Sequence, residues 1–213
     1  MIAPTSSVAF HDRAKQVQRG LRLEYATIGY NSLEGLIAII SGLFAGSIAL
    51  VGFGVDSIIE VTSGLGLVWR LRSDVIPARR ERAERLSLRI VGVCFIALAI
   101  YIGADAVMSL VHSEAPSESI PGIALATGSL IVMPLLARAK RRVAARINSP
   151  ALTADARQTQ LCTYLSAILL GGLLLNAVFG WWWADPAAAL IMLPIIVREG
   201  VEALRGRTCC AFC

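Results

Sequence analysis

The sequence predicts an all-α membrane protein with six transmembrane helices and both termini in the cytoplasm. The chain has 213 residues, of which 56% are hydrophobic and only 16% charged, whereas a soluble domain carries about 25% charged residues. The apolar residues fall into blocks of about 20, the length that crosses a hydrocarbon core roughly 30 Å thick. The first 20 residues contain no apolar core and no small-residue cleavage site, so we expect no signal peptide.

The apolar blocks define six spans, which are residues 24–45, 46–70, 88–112, 119–138, 152–180 and 184–204. The first two nearly touch, and the small residues Ala45, Gly46 and Ser47 form the turn between them. The segments 70–89 and 138–146 are too polar to span a membrane. We therefore expect a cytoplasmic N-terminal segment over 1–23, a six-helix transmembrane domain over 24–205 and a Cys-rich tail over 206–213, with no large soluble domain.

The positions of Lys and Arg orient the chain in the membrane. They cluster before span 1, between spans 2 and 3, between spans 4 and 5, and after span 6, while the loops HSEAPSES (112–119) and GWWWADP (180–186) contain none. The excess of positive charge on cytoplasmic loops places both termini in the cytoplasm. Topology and anionic lipid explain the basic loops, so we expect no nucleic-acid partner. The Trp triplet at 181–183 then lies at the outer interface, where indole rings accumulate.

Two acids interrupt the apolar second span. Asp56 and Glu60 are four residues apart and share one helix face. Asp56 lies ten residues beyond Gly46, or roughly 15 Å into the bilayer at 1.5 Å per residue. A lone carboxylate at this depth costs at least about 2.5–3.5 kcal/mol, and it could be kept as a neutral acid bonded to a neighbouring helix. Two acids on one face favour an ion pathway instead.

Other polar residues reach a comparable depth. Asn31 and Glu34 lie one turn apart in span 1, and Asp155, Gln158 and Cys162 share one face of span 5 at i, i+3 and i+7. Oxygen, amide and thiol ligands at one depth suit a divalent metal of the borderline to soft class. Taken alone, Cys162 is equally consistent with a small buried hydrophobic residue.

At these landmarks the chain resembles the cation diffusion facilitators, a family of six-span transporters. Members carry two metal ligands four residues apart on span 2 and two more four apart on span 5. The runs DSIIE (56–60) and ADARQTQLC (154–162), with Ser166 beyond, resemble those two motifs, and Asp185-Pro186 resembles the family's opening of span 6. The resemblance covers about 24–205, nearly the whole chain.

The resemblance implies that Asp56, Glu60, Gln158 and Cys162 are the metal ligands. Glu60 stands where the family usually has Asp, Gln158 where it has His, and Cys162 where it has Asp. The implied activity is secondary transport that exports a divalent transition or heavy metal cation in exchange for protons, by a homodimer in the cell membrane and without a cofactor. Zinc is the metal that the family implies, and a thiolate shifts the preference toward cadmium, lead or mercury.

Further residues are candidates for the accessory transport path, namely Asn31, Glu34, Asp105 and Asp155. Asp105, near the outer end of span 3, is either a residue of the exit mouth or an interfacial residue. The tail cysteines Cys209, Cys210 and Cys213 are either a cytoplasmic metal-capture site or a lipidation site. Because only RTCCAFC follows span 6, the chain resembles the small branch of the family that lacks the cytoplasmic C-terminal domain.

Two other classes of function compete with transport. One is a non-transporting regulatory or interaction protein in which the membrane acids are relics. The other is an intramembrane metal-dependent enzyme, which the absence of a phosphate-binding Gly loop, an HExxH motif or a nucleophile elbow disfavours. We therefore expect no enzyme, and the absence of an ATP-binding motif indicates that ion gradients drive any transport.

Overall fold

The structure is a computed structural model that describes residues 6–72, 77–112 and 116–205. These residues fold into six α-helices, as the sequence predicts. The helices are α1 (Ser6–Ala45), α2 (Ile48–Arg72), α3 (Pro77–His112), α4 (Ile120–Ile147), α5 (Pro150–Phe179) and α6 (Ala184–Leu204).

Several helices extend beyond the predicted apolar spans. α1 begins at Ser6 rather than near residue 24, α3 begins at Pro77 rather than near residue 88, and α4 continues to Ile147 rather than ending near residue 138. The added turns are rich in Arg, Lys, Glu and Ala, which are good helix formers. Apolar composition marks only the part of a helix that lies in lipid, so it underestimates helix length here.

Five of the six helices are long and apolar enough to cross a membrane. α6 differs because its 21 residues include the charged residues Asp185, Arg198, Glu199 and Glu202, so every 18-residue window holds at least three charges. Many large apolar side chains point outward from the bundle, including Phe44 at 88% exposure and Val111 at 73%. Exposed apolar surface on this scale is what a lipid-facing exterior requires.

Short connections join consecutive helices. α1 ends at Ala45, Gly46 has φ +66°, and Ser47 precedes α2, so the predicted turn at 45–47 is confirmed. Asn148, with φ 51°, ends α4, and Ser149 caps α5. Connections this short make α1 and α2, and likewise α4 and α5, antiparallel neighbours.

Glycines bring helix pairs into close contact. A Cβ built on Gly35 of α1 would lie 3.0 Å from the Gly54 carbonyl oxygen of α2, and one on Gly54 would lie 2.9 Å from the Ile39 backbone nitrogen. α3 and α6 meet in the same way, because a Cβ on Gly92 would lie 2.9 Å from the Gly200 carbonyl oxygen. Small residues at such interfaces let helix backbones approach each other. α2 thereby sits at the centre of the bundle, in contact with α1, α3, α5 and α6.

Candidate cation site

Asp185 of α6 fixes the position of the helix that carries the candidate site, α2. The buried Asp185 carboxylate accepts hydrogen bonds from the Ser47 hydroxyl at 2.5 Å and from the Ile48 backbone N–H at 2.9 Å. The Ser47 Oγ in turn accepts from the Leu50 N–H at 3.1 Å. An acid beside the free N–H groups at the start of a helix accepts their hydrogen bonds, and its negative charge interacts favourably with the positive end of the helix dipole. The Asp-Pro landmark of α6 therefore fixes the start of α2.

From this fixed start, α2 carries two acids to the middle of the bundle. Asp56 is 6% exposed and Glu60 3% exposed. Both side chains line a small cavity, together with Gln158 and Cys162 of α5. The structure thus brings together all four residues that the sequence predicts as metal ligands.

Neighbouring polar groups orient these side chains. Gln158 accepts a hydrogen bond from the Ser63 hydroxyl of α2 at 3.1 Å, which holds its amide toward α2. The Cys162 thiol lies beside the Glu60 carboxylate. Ser166, one turn further along α5, donates to the Cys162 carbonyl oxygen at 2.7 Å, so its hydroxyl supports the helix rather than reaching the cavity.

The cavity is also lined by a third acid, Glu199, which the sequence analysis did not select. Glu199 of α6 joins Asp56 and Glu60 in the lining, and its charge acts on that of Asp56. The remaining wall is apolar, formed by side chains of α3, α5 and α6. The sequence offered only a general signal, because Glu199 is one of three charged residues, with Arg198 and Glu202, near the end of a largely apolar span.

The donor side chains line the cavity but do not converge on one coordination point. Over residues 6–72, 77–112 and 116–205, no three His, Cys, Asp or Glu side chains are near enough to one another to chelate a metal ion. The cavity is therefore a lined chamber with anionic and soft donors. Rotation of Asp56 and Glu60 about their side-chain bonds is needed before a cation could contact both.

The structure divides the predicted accessory residues into three groups. Asn31 and Glu34 of α1 are buried and do not line the cavity, and Asn31 lies beside the Glu60 carboxylate. Asp155 faces α1 and α4 instead of the cavity. Asp105 is partly exposed on α3 and does not line the cavity. Cys209, Cys210 and Cys213 lie outside the described residues.

Comparison with known proteins settles the family. Residues 26–206 match the cation efflux transmembrane domain. The chain belongs to the cation efflux family. The resemblance to the cation diffusion facilitators is thereby confirmed, as is the expectation that the chain belongs to a family of transporters and not of enzymes. It is a multi-pass integral membrane protein of this family.

Several curated relatives are similar to this member of the cation efflux family. An uncharacterized transporter of Methanocaldococcus jannaschii is 30% identical over 178 residues, which are 81% of this chain and 62% of the relative. The putative transporter MamV of Paramagnetospirillum magneticum is 28% identical over 75% of this chain and 49% of its own length. The cation-efflux pump FieF of Shewanella oneidensis is 24% identical over 78% of this chain and 58% of its own length. The chain spans about half to three fifths of the relatives' length.

A buried ion cluster adjoins the cavity. The Lys140 ammonium of α4 lies 2.5 Å from an Asp155 oxygen of α5 and 3.2 Å from a Glu24 oxygen of α1, and it donates to the Thr159 hydroxyl at 3.2 Å. Lys140 and Glu24 are fully buried. Thr159 also lies beside Glu60, so the cluster reaches the cavity. Asp155 is thus an ion-pair partner of Lys140, and Lys140 joins α4 to both α5 and α1.

Proposed function

We propose that the protein is a secondary transporter that exports a divalent transition or heavy metal cation in exchange for protons. Zinc is the first candidate cargo, and cadmium or another soft metal is the second. The observation that supports this proposal is the buried cavity that Asp56, Glu60, Gln158 and Cys162 line together. Two helices of the bundle supply these donors, so relative movement of α2 and α5 could open and close the site.

The chemistry of the donors supports a dication of this class. Two carboxylates supply the charge, an amide oxygen supplies a neutral donor and the Cys162 sulfur supplies a soft one. Four such donors match the tetrahedral preference of zinc and cadmium. Carboxylate and thiolate bind metal in their deprotonated forms, so loading the site releases protons and unloading it takes them up. This exchange is the physical basis of proton antiport in the proposal.

The finer assignments belong to the same proposal. Both termini lie in the cytoplasm, the membrane is the cell membrane, and two copies form a homodimer. The distribution of Lys and Arg supports the orientation, and two-fold pairing is the commonest arrangement of identical subunits. Mass measurement in mild detergent and in lipid nanodiscs tests the dimer, and a monomeric mass in both contradicts it.

Flux in liposomes tests the proposed function. Purified protein is reconstituted with a metal-sensitive dye and a pH-sensitive dye enclosed, and a zinc or cadmium gradient is applied. We expect metal movement with opposite proton movement in the wild type, and loss of both in Asp56→Asn, which removes one charged ligand while preserving the side-chain volume. Transport by Asp56→Asn at the wild-type rate contradicts the site. Metal movement without proton movement is consistent with the metal site but contradicts protons as the exchanged ion.

A further inference from the structure

Unpaired polar atoms are concentrated on the α1 side of Glu60. In the described part of the chain, eleven buried side-chain nitrogen and oxygen atoms have no hydrogen-bond partner. Six of them belong to four residues on three helices. These residues, which we name the α1 oxygen cluster, are Asn31, Glu34, Glu60 and Ser129.

The members of this cluster are buried and close together. Asn31 and Ser129 are 0% exposed, Glu34 is 1% and Glu60 3%. The Asn31 amide lies beside Glu60, and Ser129 lies beside Glu34, yet no bond of normal geometry satisfies either end of the amide or the Ser129 hydroxyl within residues 6–72, 77–112 and 116–205. Only one oxygen of Glu34 is paired, with the Ser57 hydroxyl at 3.0 Å.

The surrounding helices hold the cluster in place. Gly35, next to Glu34, packs against the Gly54 carbonyl oxygen of α2, where a Cβ would lie 3.0 Å away. The Ser57 hydroxyl links α1 to α2 at the same level. With the helices in such close contact, the acids cannot turn outward to water without separating α1 from α2.

Unpaired buried groups on this scale point to an occupant. Each buried donor or acceptor that lacks a partner costs about 1–3 kcal/mol, more when it is charged. Native proteins contain few such groups, and an ion or a water commonly explains those that occur. The cluster offers a carboxamide, a hydroxyl and two carboxylates, with no sulfur or ring nitrogen. All-oxygen donor sets suit hard cations.

We propose that the α1 oxygen cluster is a second cation site, which takes a small, hard, monovalent cation such as sodium. It is separate from the metal cavity, because Asn31, Glu34 and Ser129 do not line that cavity, and Glu60 is the one residue that belongs to both. Magnesium is disfavoured because it keeps several of its waters, and the members of the cluster are at most 3% exposed. The nearby Lys140 ammonium offsets part of the acid charge at Glu60, which also favours a monovalent ion.

Sharing Glu60 has a consequence for transport, and this consequence rests on the proposed function. A sodium ion bound by Glu60 and Glu34 draws Glu60 away from the cavity that also contains Asp56 and Cys162. A dication bound in the cavity competes for the same carboxylate. Sodium therefore weakens metal binding by competition, and by thermodynamic reciprocity the metal weakens sodium binding by the same factor.

A thermal unfolding series tests the second site directly. The full chain in mild detergent, free of divalent metal, is titrated with NaCl against KCl, choline chloride and MgCl₂ at constant ionic strength. A ligand that binds only the folded state raises the unfolding midpoint. We expect a saturable rise with sodium, little or none with potassium and choline, and loss of that rise in Glu34→Gln. The matched control is Glu118→Gln, an exposed acid before α4, which should respond to sodium as the wild type does.

Further variants keep the test decisive if Glu34→Gln does not fold. Asn31→Ala should raise the sodium concentration that gives half of the full shift at least tenfold. Asn31→Asp, which adds a charge, should lower that concentration. Equal responses to sodium, potassium and choline in the wild type overturn the proposal. In that case the orphaned atoms are satisfied by protons or buried water. A larger response to magnesium than to sodium also overturns it.

The two proposals fail separately. If wild-type liposomes show no zinc or cadmium flux, the proposed function is rejected, and a sodium-dependent unfolding shift still supports the second site. Normal metal flux with no cation-specific unfolding shift rejects the second site alone. If both hold, raising sodium at fixed ionic strength should increase the apparent Kd for cadmium in the wild type and leave it unchanged in Glu34→Gln.

Discussion

The Asp185 carboxylate of α6 accepts a hydrogen bond from the Ser47 hydroxyl at 2.5 Å, so an acid of one helix holds the start of another. The same carboxylate accepts the Ile48 N–H, and α2 then runs uninterrupted to Asp56 and Glu60. Because one helix turn rises about 5.4 Å, a shift of this start would move both acids relative to Cys162 on α5. The position of the candidate cation site therefore depends on a residue that does not line the cavity.

Replacing Asp185 should destabilise the bundle through this cap. Asp185→Ala removes the acceptor for Ser47 and two backbone N–H groups, so we expect a loss of about 1–2 kcal/mol in the free energy of unfolding. Denaturant titration in mixed micelles measures the loss. Asp105→Asn is the control, since Asp105 is a partly exposed acid of α3, and it should stay near wild type. An Asp185→Ala variant as stable as the control contradicts the capping role.

Removing Lys140 should be more damaging than any neighbouring basic substitution. Lys140→Met leaves the Glu24 and Asp155 carboxylates buried without their cation, and breaking a buried ion pair in this way costs about 3–5 kcal/mol. Arg142→Gln, two residues away and exposed, should cost little. Unfolding measurements on both variants check the difference.

A second substitution distinguishes charge from packing at this cluster. Adding Glu24→Gln to Lys140→Met removes one of the two uncompensated charges. We expect the double variant to recover part of the lost stability. If it is less stable than Lys140→Met alone, the loss at Lys140 arises from packing of its aliphatic stem and not from the unpaired acids.

The sequence predicted the helices and the turn at 45–47 because these depend on local pattern, and its resemblance to the family selected four of the residues that line the cavity. It missed Lys140, which lies in the basic run RAKRR. Only the helical phase of α4 buries Lys140 while Arg138, Arg141 and Arg142 stay exposed. Its partner Glu24 is 116 residues away, and no local pattern reveals a contact of that kind. Glu199 was missed for the same reason, since its place in the cavity depends on how α6 packs beside α2.

Glu199 should contribute charge to the cavity without fixing its selectivity. Glu199→Gln preserves the side-chain volume but removes one of three carboxylates from the lining. We expect the apparent affinity for zinc and cadmium to fall by about tenfold each, equivalent to about 1.4 kcal/mol, with their ratio unchanged. Glu202→Gln is the control, because Glu202 pairs with Arg198 and does not line the cavity. Equal affinities for the two variants contradict a role for Glu199 in the site.

Cys162 should set the preference between soft and borderline metals. The thiol is the only sulfur donor among the residues that line the cavity, and sulfur ligands favour cadmium over zinc more than carboxylates do. Cys162→Asp restores the oxygen ligand usual in the family, so we expect the ratio of cadmium to zinc flux to fall by about tenfold while zinc flux is partly retained. Cys94→Ser is the matched control, since Cys94 is an exposed thiol of α3 outside the cavity, and its ratio should equal that of the wild type. A Cys162→Asp variant with an unchanged ratio identifies Cys162 as a packing residue, and the cargo site then consists of Asp56, Glu60, Gln158 and Glu199.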